Sequence, residues 1–263
     1  MSVTELQASS IHELVDVVLK IRAELGDDGF LWYRGQSCQN YRLLPKLMRD
    51  GKSDAEVFER ETRLLTRFRQ RSMAYWPTGY PQTSWEHLFA MQHHGAPTRL
   101  LDWTENLFVA CYFALSSDPP HADHVCVPSI WCVDPVRWNR STPVLSEYGD
   151  TIRVLTTADE ELESYMPETQ KRRGKSPVAM FGAHNSDRIV AQRGTFVVWG
   201  ADPRPLEEFA SPSDPTLLWR VTLNAKREDL FKDLQTLGFT ETMIFPELPY
   251  LATELARTEG WRT

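Results

Sequence analysis

The sequence predicts a single mixed α+β domain, and three observations carry that expectation. Segments with helical spacing come first, and apolar strand-like runs alternate with helices afterwards. A length of 263 residues is enough for one large core. The two polar stretches, at 140–175 and 203–215, look like surface loops or insertions and not like domain linkers.

The elements follow in order. Ser10 and Glu13 form a capping box for a first helix. Its apolar stripe is Ile11, Leu14, Val15, Val18 and Ile21, and Gly26 stops it. Residues 30–33 form a short aromatic strand that delivers Arg34 and Gly35 to its end. Ser53 and Glu56 open a second helix with Val57, Leu64, Leu65 and Phe68 inward. Ser84 is expected to cap a helix through Trp85, Leu88 and Phe89 that ends near Gly95. Residues 104–115 form the next helix, with Leu107, Phe108, Cys111, Tyr112 and Leu115 on one face. Strands are expected at 130–133, 196–199 and 217–223, then a helix at 226–237 stopped by Gly238. A last strand at 243–245 precedes a C-terminal helix at about 250–257. There is no internal repeat.

Composition excludes several classes. Hydrophobic residues at 41% and charged ones at 25% are ordinary for a globular chain. No apolar run is long enough to span a bilayer, and residues 1–10 lack the basic-then-apolar pattern of a signal peptide, so no membrane association and a cytoplasmic location are expected. The net charge of −7 withholds the broad basic field of a general nucleic-acid binder. The run Lys171-Arg172-Arg173-Gly174-Lys175 is either a solvated loop or a local contact patch for RNA or an acidic protein. None of Cys38, Cys111, Cys126 and Cys132 forms a CxxC pair, so neither a zinc knuckle nor a disulfide framework is expected.

Three stretches carry chemistry. Arg34, between Tyr33 and Gly35 at a strand end, is either a fork for a planar anion or a structural ion-pair partner. Gly35 would admit a ligand close to the backbone. The stretch from Gln92 through Thr104 packs His93, His94, Arg99, Asp102 and Trp103 between two helices. Adjacent histidines cannot both face one site, so at most one of the two points inward; the alternative is a helix C-terminus ended by Gly95 with a histidine capping its carbonyls. Asp102 is a site carboxylate or the N-cap of the next helix. No His-x-x-x-His is present, and no metal is expected. Glu241 and Glu247 flank the expected last strand, as site carboxylates or as exposed turn residues. No Gly-x-Gly-x-x-Gly follows a strand, so a Rossmann site is not suggested.

Taken together, these stretches resemble the FRG-domain family. Trp32-Tyr33-Arg34-Gly35-Gln36 is similar to its namesake motif, and Met91 through Thr104, with Asn106 and the helix to Ala114, is similar to its longest signature. Arg188, Ala191, Gln192, Gly194 and Phe196 resemble its R-x-x-A-Q-x-G-x-F segment. Leu237-Gly238-Phe239 and Phe245-Pro246-Glu247-Leu248 resemble its C-terminal end. The resemblance implies one domain over 1–263: a helical part at about 1–29, a motif-bearing core at about 30–250 and an insertion at about 140–175.

A more distant resemblance is to ADP-ribosyltransferases. Tyr33-Arg34-Gly35, the turn at 98–104 into a helix, and the acids around 243–245 occur in the chain order of those enzymes. Their usual Ser-Thr-Ser is absent, and Thr98-Arg99-Leu100-Leu101-Asp102 stands in its place. This implies a mixed, mostly antiparallel sheet with flanking helices and an ADP-ribosyltransferase-like core. It also implies an NAD-using transferase of toxin or antiphage-defence type, as in a toxin–antitoxin pair, with an acceptor protein or RNA and an inhibitory antitoxin protein as partners. In that reading Tyr33, Arg34, Gly35, His93, Arg99 and Trp103 hold NAD. Arg34 clasps the pyrophosphate, a histidine bonds the ribose, and Trp103 or Tyr33 stacks on nicotinamide. Glu241 or Glu247, together with His94 and Asp102, supplies the chemistry. Two other readings stay open: a hydrolase or nuclease with His94 as base and Asp102 as orienter, and a non-catalytic module that senses a nucleotide or a partner.

Overall fold

The structure, a computed structural model, describes residues 3–26, 29–76, 79–117, 119, 126–143, 145, 153–169, 174–183, 186–210 and 217–261. Seven strands form one sheet: β1 (Thr4–Ala8), β2 (Trp32–Gln36), β3 (Leu100–Thr104), β4 (Ser129–Val133), β5 (Val178–Met180), β6 (Gly194–Val198) and β7 (Leu218–Leu223). Their order across the sheet is β1-β7-β4-β2-β3-β6-β5. The β1–β7 pairing is parallel and the other five are antiparallel. The expected α+β class with a mixed, mostly antiparallel sheet is present.

Nine helices surround the sheet among the described residues: α1 (Ile11–Leu25), α2 (Asp54–Ser72), α3 (Ser84–His93), α4 (Leu107–Leu115), α5 (Pro135–Ser141), α6 (Asp187–Ala191), α7 (Arg227–Thr236), α8 (Glu241–Ile244) and α9 (Leu248–Thr258). The capping boxes at Ser53 and Glu56 and at Thr83 and Glu86 close the first turns of α2 and α3. The cap of α3 is therefore Thr83, one residue before the expected Ser84. Leu14, Val18 and Ile21 of α1 share a core with Val109, Ala110 and Cys111 of α4 and with Ile130, Cys132 and Val221 of the sheet. The opposite face buries Trp32, Trp103, Trp131 and Trp199.

Three expectations are corrected, and one strand appears where none was expected. Residues 100–104 form strand β3, so α4 starts only at Leu107 and its cap is Asn106, whose side chain accepts from the Phe108 and Val109 amides. Residues 241–244 form α8, and no strand lies at 243–245; the Phe245 amide donates to the Glu241 carbonyl and closes the turn. The polar alternation of β1 concealed an edge strand, which is half-exposed because only β7 flanks it. Cys38 and Cys126, 88 residues apart, are joined by a disulfide with Cα atoms 4.7 Å apart. Only the tertiary fold closes that loop, and no local spacing announces it.

The stretch at 140–175 lies partly outside the described residues. Its described part is not merely a surface loop, because Leu155, Leu162 and Tyr165 are buried against α3 and β5. Lys171, Arg172 and Arg173 lie outside the described residues. No described helix is long and apolar enough to cross a membrane.

Candidate functional site

The sheet parts at one place. β2 and β3 pair only at Tyr33 and Thr104, whereas β2 pairs with β4, and β3 with β6, over five residues each. Past that single pair the two strands diverge, and a cleft of about 1140 Å³ opens there. A cavity of this size accommodates a dinucleotide. Its walls bring together Tyr33, Arg34 and Gly35 of β2, Gln92 and His93 of α3, Asp102 and Trp103 of β3, Gln192 at the end of α6 and Thr195 of β6. Arg42, Arg49 and Arg188 add positive charge, and Tyr41, Phe89, Phe113, Phe196 and Phe245 add aromatic surface.

Arg34 bridges the gap: its Nη1 donates to the backbone carbonyl of Asp102. Its Nε is buried without a hydrogen-bond partner among the described residues. Burial pushes its pKa down to about 10, against the pull of the Asp102 charge. The guanidinium stays charged at neutral pH and holds an unused donor. Arg49, at the end of a short 3₁₀ turn, bonds the Leu44 carbonyl through Nε and has no ion pair among the described residues.

Asp102 is the one carboxylate lining the cleft among the described residues. Gln92 donates to its Oδ2 at 2.7 Å. The Gln92 amide is itself oriented by the Thr98 hydroxyl, which donates to its oxygen. Asp102 stands at the cleft floor, open to water yet enclosed by protein. Burial there raises its pKa, opposed by Arg34 and by the Gln92 hydrogen bond.

Of the two histidines, His93 faces the cleft. Burial, with the Arg188 charge, lowers its pKa and keeps the ring neutral at physiological pH. His94 is exposed at the end of α3, where its backbone N–H bonds the Ala90 and Gln92 carbonyls and Gly95 turns the chain at φ 76°. Among the described residues no hydrogen bond joins His94 to Asp102, and His94 does not line the cleft that holds Asp102.

Other expected site residues lie outside the cleft or have another role at its wall. Arg99 does not line the cleft. It is 1% exposed, with Nε on Glu61 at 3.0 Å, Nη1 on the Trp199 carbonyl at 3.2 Å and Nη2 on the Tyr165 carbonyl. The Trp103 ring is buried in the core, so it cannot stack on a ligand. Gly35 is needed for packing: a Cβ there would lie 1.9 Å from the Ala110 carbonyl oxygen of α4. Glu241 pairs with Arg257 at 2.7 Å, outside the cleft. Glu247 precedes α9 without capping it by its side chain and holds Arg188 with both oxygens, at 2.7 and 2.5 Å, and that bond lowers its pKa. Arg188 in turn lies 5.0 Å from the Phe245 ring centroid.

Reasoning from the sequence missed Arg49, Thr195 and Gln192 as cleft residues. Gln192 had a signal, since it sits in the segment resembling R-x-x-A-Q-x-G-x-F. Arg49 sits in no motif. Among the described residues no group of three His, Cys, Asp or Glu side chains is gathered for a metal ion.

Residues 30–123 match the family model of the FRG domain. The matched stretch holds Arg34, Arg49, Gln92, His93, Asp102 and Trp103, while Arg188, Gln192 and Thr195 lie beyond it. No curated protein and no solved structure matches the chain.

Proposed function

The chain carries an FRG domain over residues 30–123, and on that premise we propose that it is a transferase that cleaves NAD and moves ADP-ribose to a cellular protein or RNA. One observation carries this reading. Where the sheet parts, a single aromatic-walled cleft sets two arginines, Arg34 and Arg49, neither with an ion pair among the described residues, beside one carboxylate, Asp102.

NAD needs such a division of charge. Its pyrophosphate is an anion suited to guanidinium forks. When the bond between ribose and nicotinamide breaks, the electron pair goes to the ring nitrogen and the sugar becomes an oxocarbenium-like cation, as in glycoside hydrolysis. Asp102 offsets that charge and takes the proton released as the acceptor's oxygen or nitrogen bonds to the ribose. Its raised pKa suits it to receive a proton. Neutral His93 has one ring nitrogen to accept from a ribose hydroxyl and one to donate. Asp102 takes the catalytic place ahead of Glu241 and Glu247, whose charges are already held by Arg257 and Arg188.

The test is to incubate the folded protein with adenylate-labelled NAD and with protein and RNA fractions of cells. The expected result is label on one fraction, stoichiometric free nicotinamide, and a loss of about 100-fold or more in Asp102→Asn. Intact NAD that binds without turnover would put a sensing module in place of the transferase. In a toxin or defence setting, expression of the active protein slows cell growth, Asp102→Asn relieves it, and an inhibitory partner protein is expected.

A further inference from the structure

Eight buried side-chain atoms have no hydrogen-bond partner among the described residues, and three of them belong to residues lining the cleft: Arg34 Nε, Trp103 Nε1 and Thr195 Oγ1. Trp103 is 2% exposed and Thr195 1% exposed. The β3–β6 register sets Trp103 directly opposite Thr195, so the two side chains stand on the same face of the sheet as neighbours. Arg34 approaches from β2, across the gap that its own Nη1 spans. The other five atoms, on Trp32, Glu61, Arg69, His87 and Ser129, belong to residues that do not line the cleft.

We propose that Trp103 and Thr195 form a buried donor pair that, beside Arg34, receives a phosphate oxygen of the nucleotide. The inference rests on the nucleotide reading above and assigns Trp103 a role other than stacking. An indole N–H and a guanidinium Nε–H only donate, and a threonine hydroxyl can turn to do the same. The group they complete is therefore an acceptor. Two nearby guanidiniums, Arg34 and Arg49, outnumber the single carboxylate of Asp102, so the favoured acceptor is negatively charged. A phosphate oxygen meets both demands, whereas a carboxamide oxygen meets only the first. Buried polar atoms left without partners cost stability, and their gathering in one cavity is what a preorganised ligand subsite requires.

Thr195→Val tests this, because it removes the hydroxyl and keeps the shape. Binding of inorganic phosphate, pyrophosphate, ADP-ribose and nicotinamide is measured by calorimetry on wild type, Thr195→Val and Trp103→Phe, with melting curves on each. The subsite predicts a melting temperature for Thr195→Val equal to or above that of wild type, since an unpaired buried hydroxyl has been replaced by a methyl group. It also predicts pyrophosphate and ADP-ribose binding weakened about tenfold, the weight of one charge-assisted hydrogen bond, with nicotinamide unaffected. Trp103→Phe loses stability from the smaller ring yet shows the same selective loss of affinity. Three results overturn the proposal: destabilised Thr195→Val with phosphate-ligand binding unchanged, weakened nicotinamide with pyrophosphate unchanged, or no binding of pyrophosphate and ADP-ribose by wild type. Neither probe requires cleavage of NAD. Weakened ADP-ribose binding beside intact NAD therefore upholds the subsite while the transferase reading fails.

Discussion

Two enclosed arginines differ in how far the protein itself uses their donors. Arg99 places Nε on Glu61 and its two terminal nitrogens on the Trp199 and Tyr165 carbonyls, tying together α2, the segment before β3 and the chain after β6. Arg34 makes one bond, to a backbone carbonyl, and leaves Nε without a partner among the described residues. Their sequence settings look alike, each beside an apolar strand. The difference lies in saturation of donors: Arg99 uses its whole fork within the protein, and Arg34 keeps part of its fork open, as the proposed anion-binding role requires.

Breaking the saturated pair gives the largest expected effect. Arg99→Ala leaves Glu61 charged in the core, and removing one partner of a buried pair costs about 3–5 kcal/mol. Denaturant unfolding measures it. A loss below about 1 kcal/mol would dissolve the contrast with Arg34. Gly35→Ala comes next. Its new methyl group meets the Ala110 carbonyl of α4, backbone that cannot swing aside, so β2 and α4 must separate at a cost of about 1–3 kcal/mol. Unchanged melting of that variant would mean the β2–α4 contact is looser than the structure has it.

Arg34→Ala removes one hydrogen bond from the fold and lowers stability by about 1 kcal/mol. Its loss of NAD affinity is expected to be about tenfold or more, because the bonds to the pyrophosphate are charge-assisted. Thermal melting and equilibrium binding on one preparation separate the two quantities.

The smallest effect is one of pH. Burial raises the Asp102 pKa despite Arg34 and Gln92. A carboxyl with a raised folded pKa binds its proton more tightly folded than unfolded. That contribution is complete below the ordinary value of about 3.9 and is lost as pH rises through the raised one. Asp102→Asn cannot lose a proton, so its melting curve matches wild type in acid and lies above it beyond that window. A wild type that gains on the variant as pH rises would mean that Arg34 and Arg49 hold the carboxylate below its ordinary range.

How much was legible in the sequence follows from what each signal measures. Helical periodicity located α1, α2 and α7, because each buries one stripe, whereas α4 was found by its apolar length and buries nearly every side from Val109 on. The sequence pattern began that helix at Thr104, three residues early, and left 100–103 without an element, because Leu100, Leu101 and Trp103 are apolar on both faces of an interior strand and run straight into the apolar α4. The same misreading made Asp102 a cap candidate, although it lies within a strand at the cleft floor. Arg34, His93 and Asp102 do line one cleft, but Arg34 and Asp102 reach it from the middle of β2 and β3 and not from the element ends that the sequence suggested. Arg99 and Glu241 do not, because an ion pair is decided by a partner 38 residues away in one case and 16 in the other. Thr195 was illegible for the opposite reason: its significance is a missing partner, and that exists only in three dimensions.

The measurement that bears most directly on the whole account is a calorimetric titration of NAD into wild type, Arg34→Ala and Arg99→Lys, with melting recorded alongside. The account predicts one NAD per wild-type chain. It predicts near-native melting with affinity reduced about tenfold or more for Arg34→Ala. For Arg99→Lys it predicts lowered melting with native affinity in the fraction that stays folded. Equal NAD affinity in wild type and Arg34→Ala, or unfolding of Arg34→Ala as severe as that of the Arg99 variant, would contradict it.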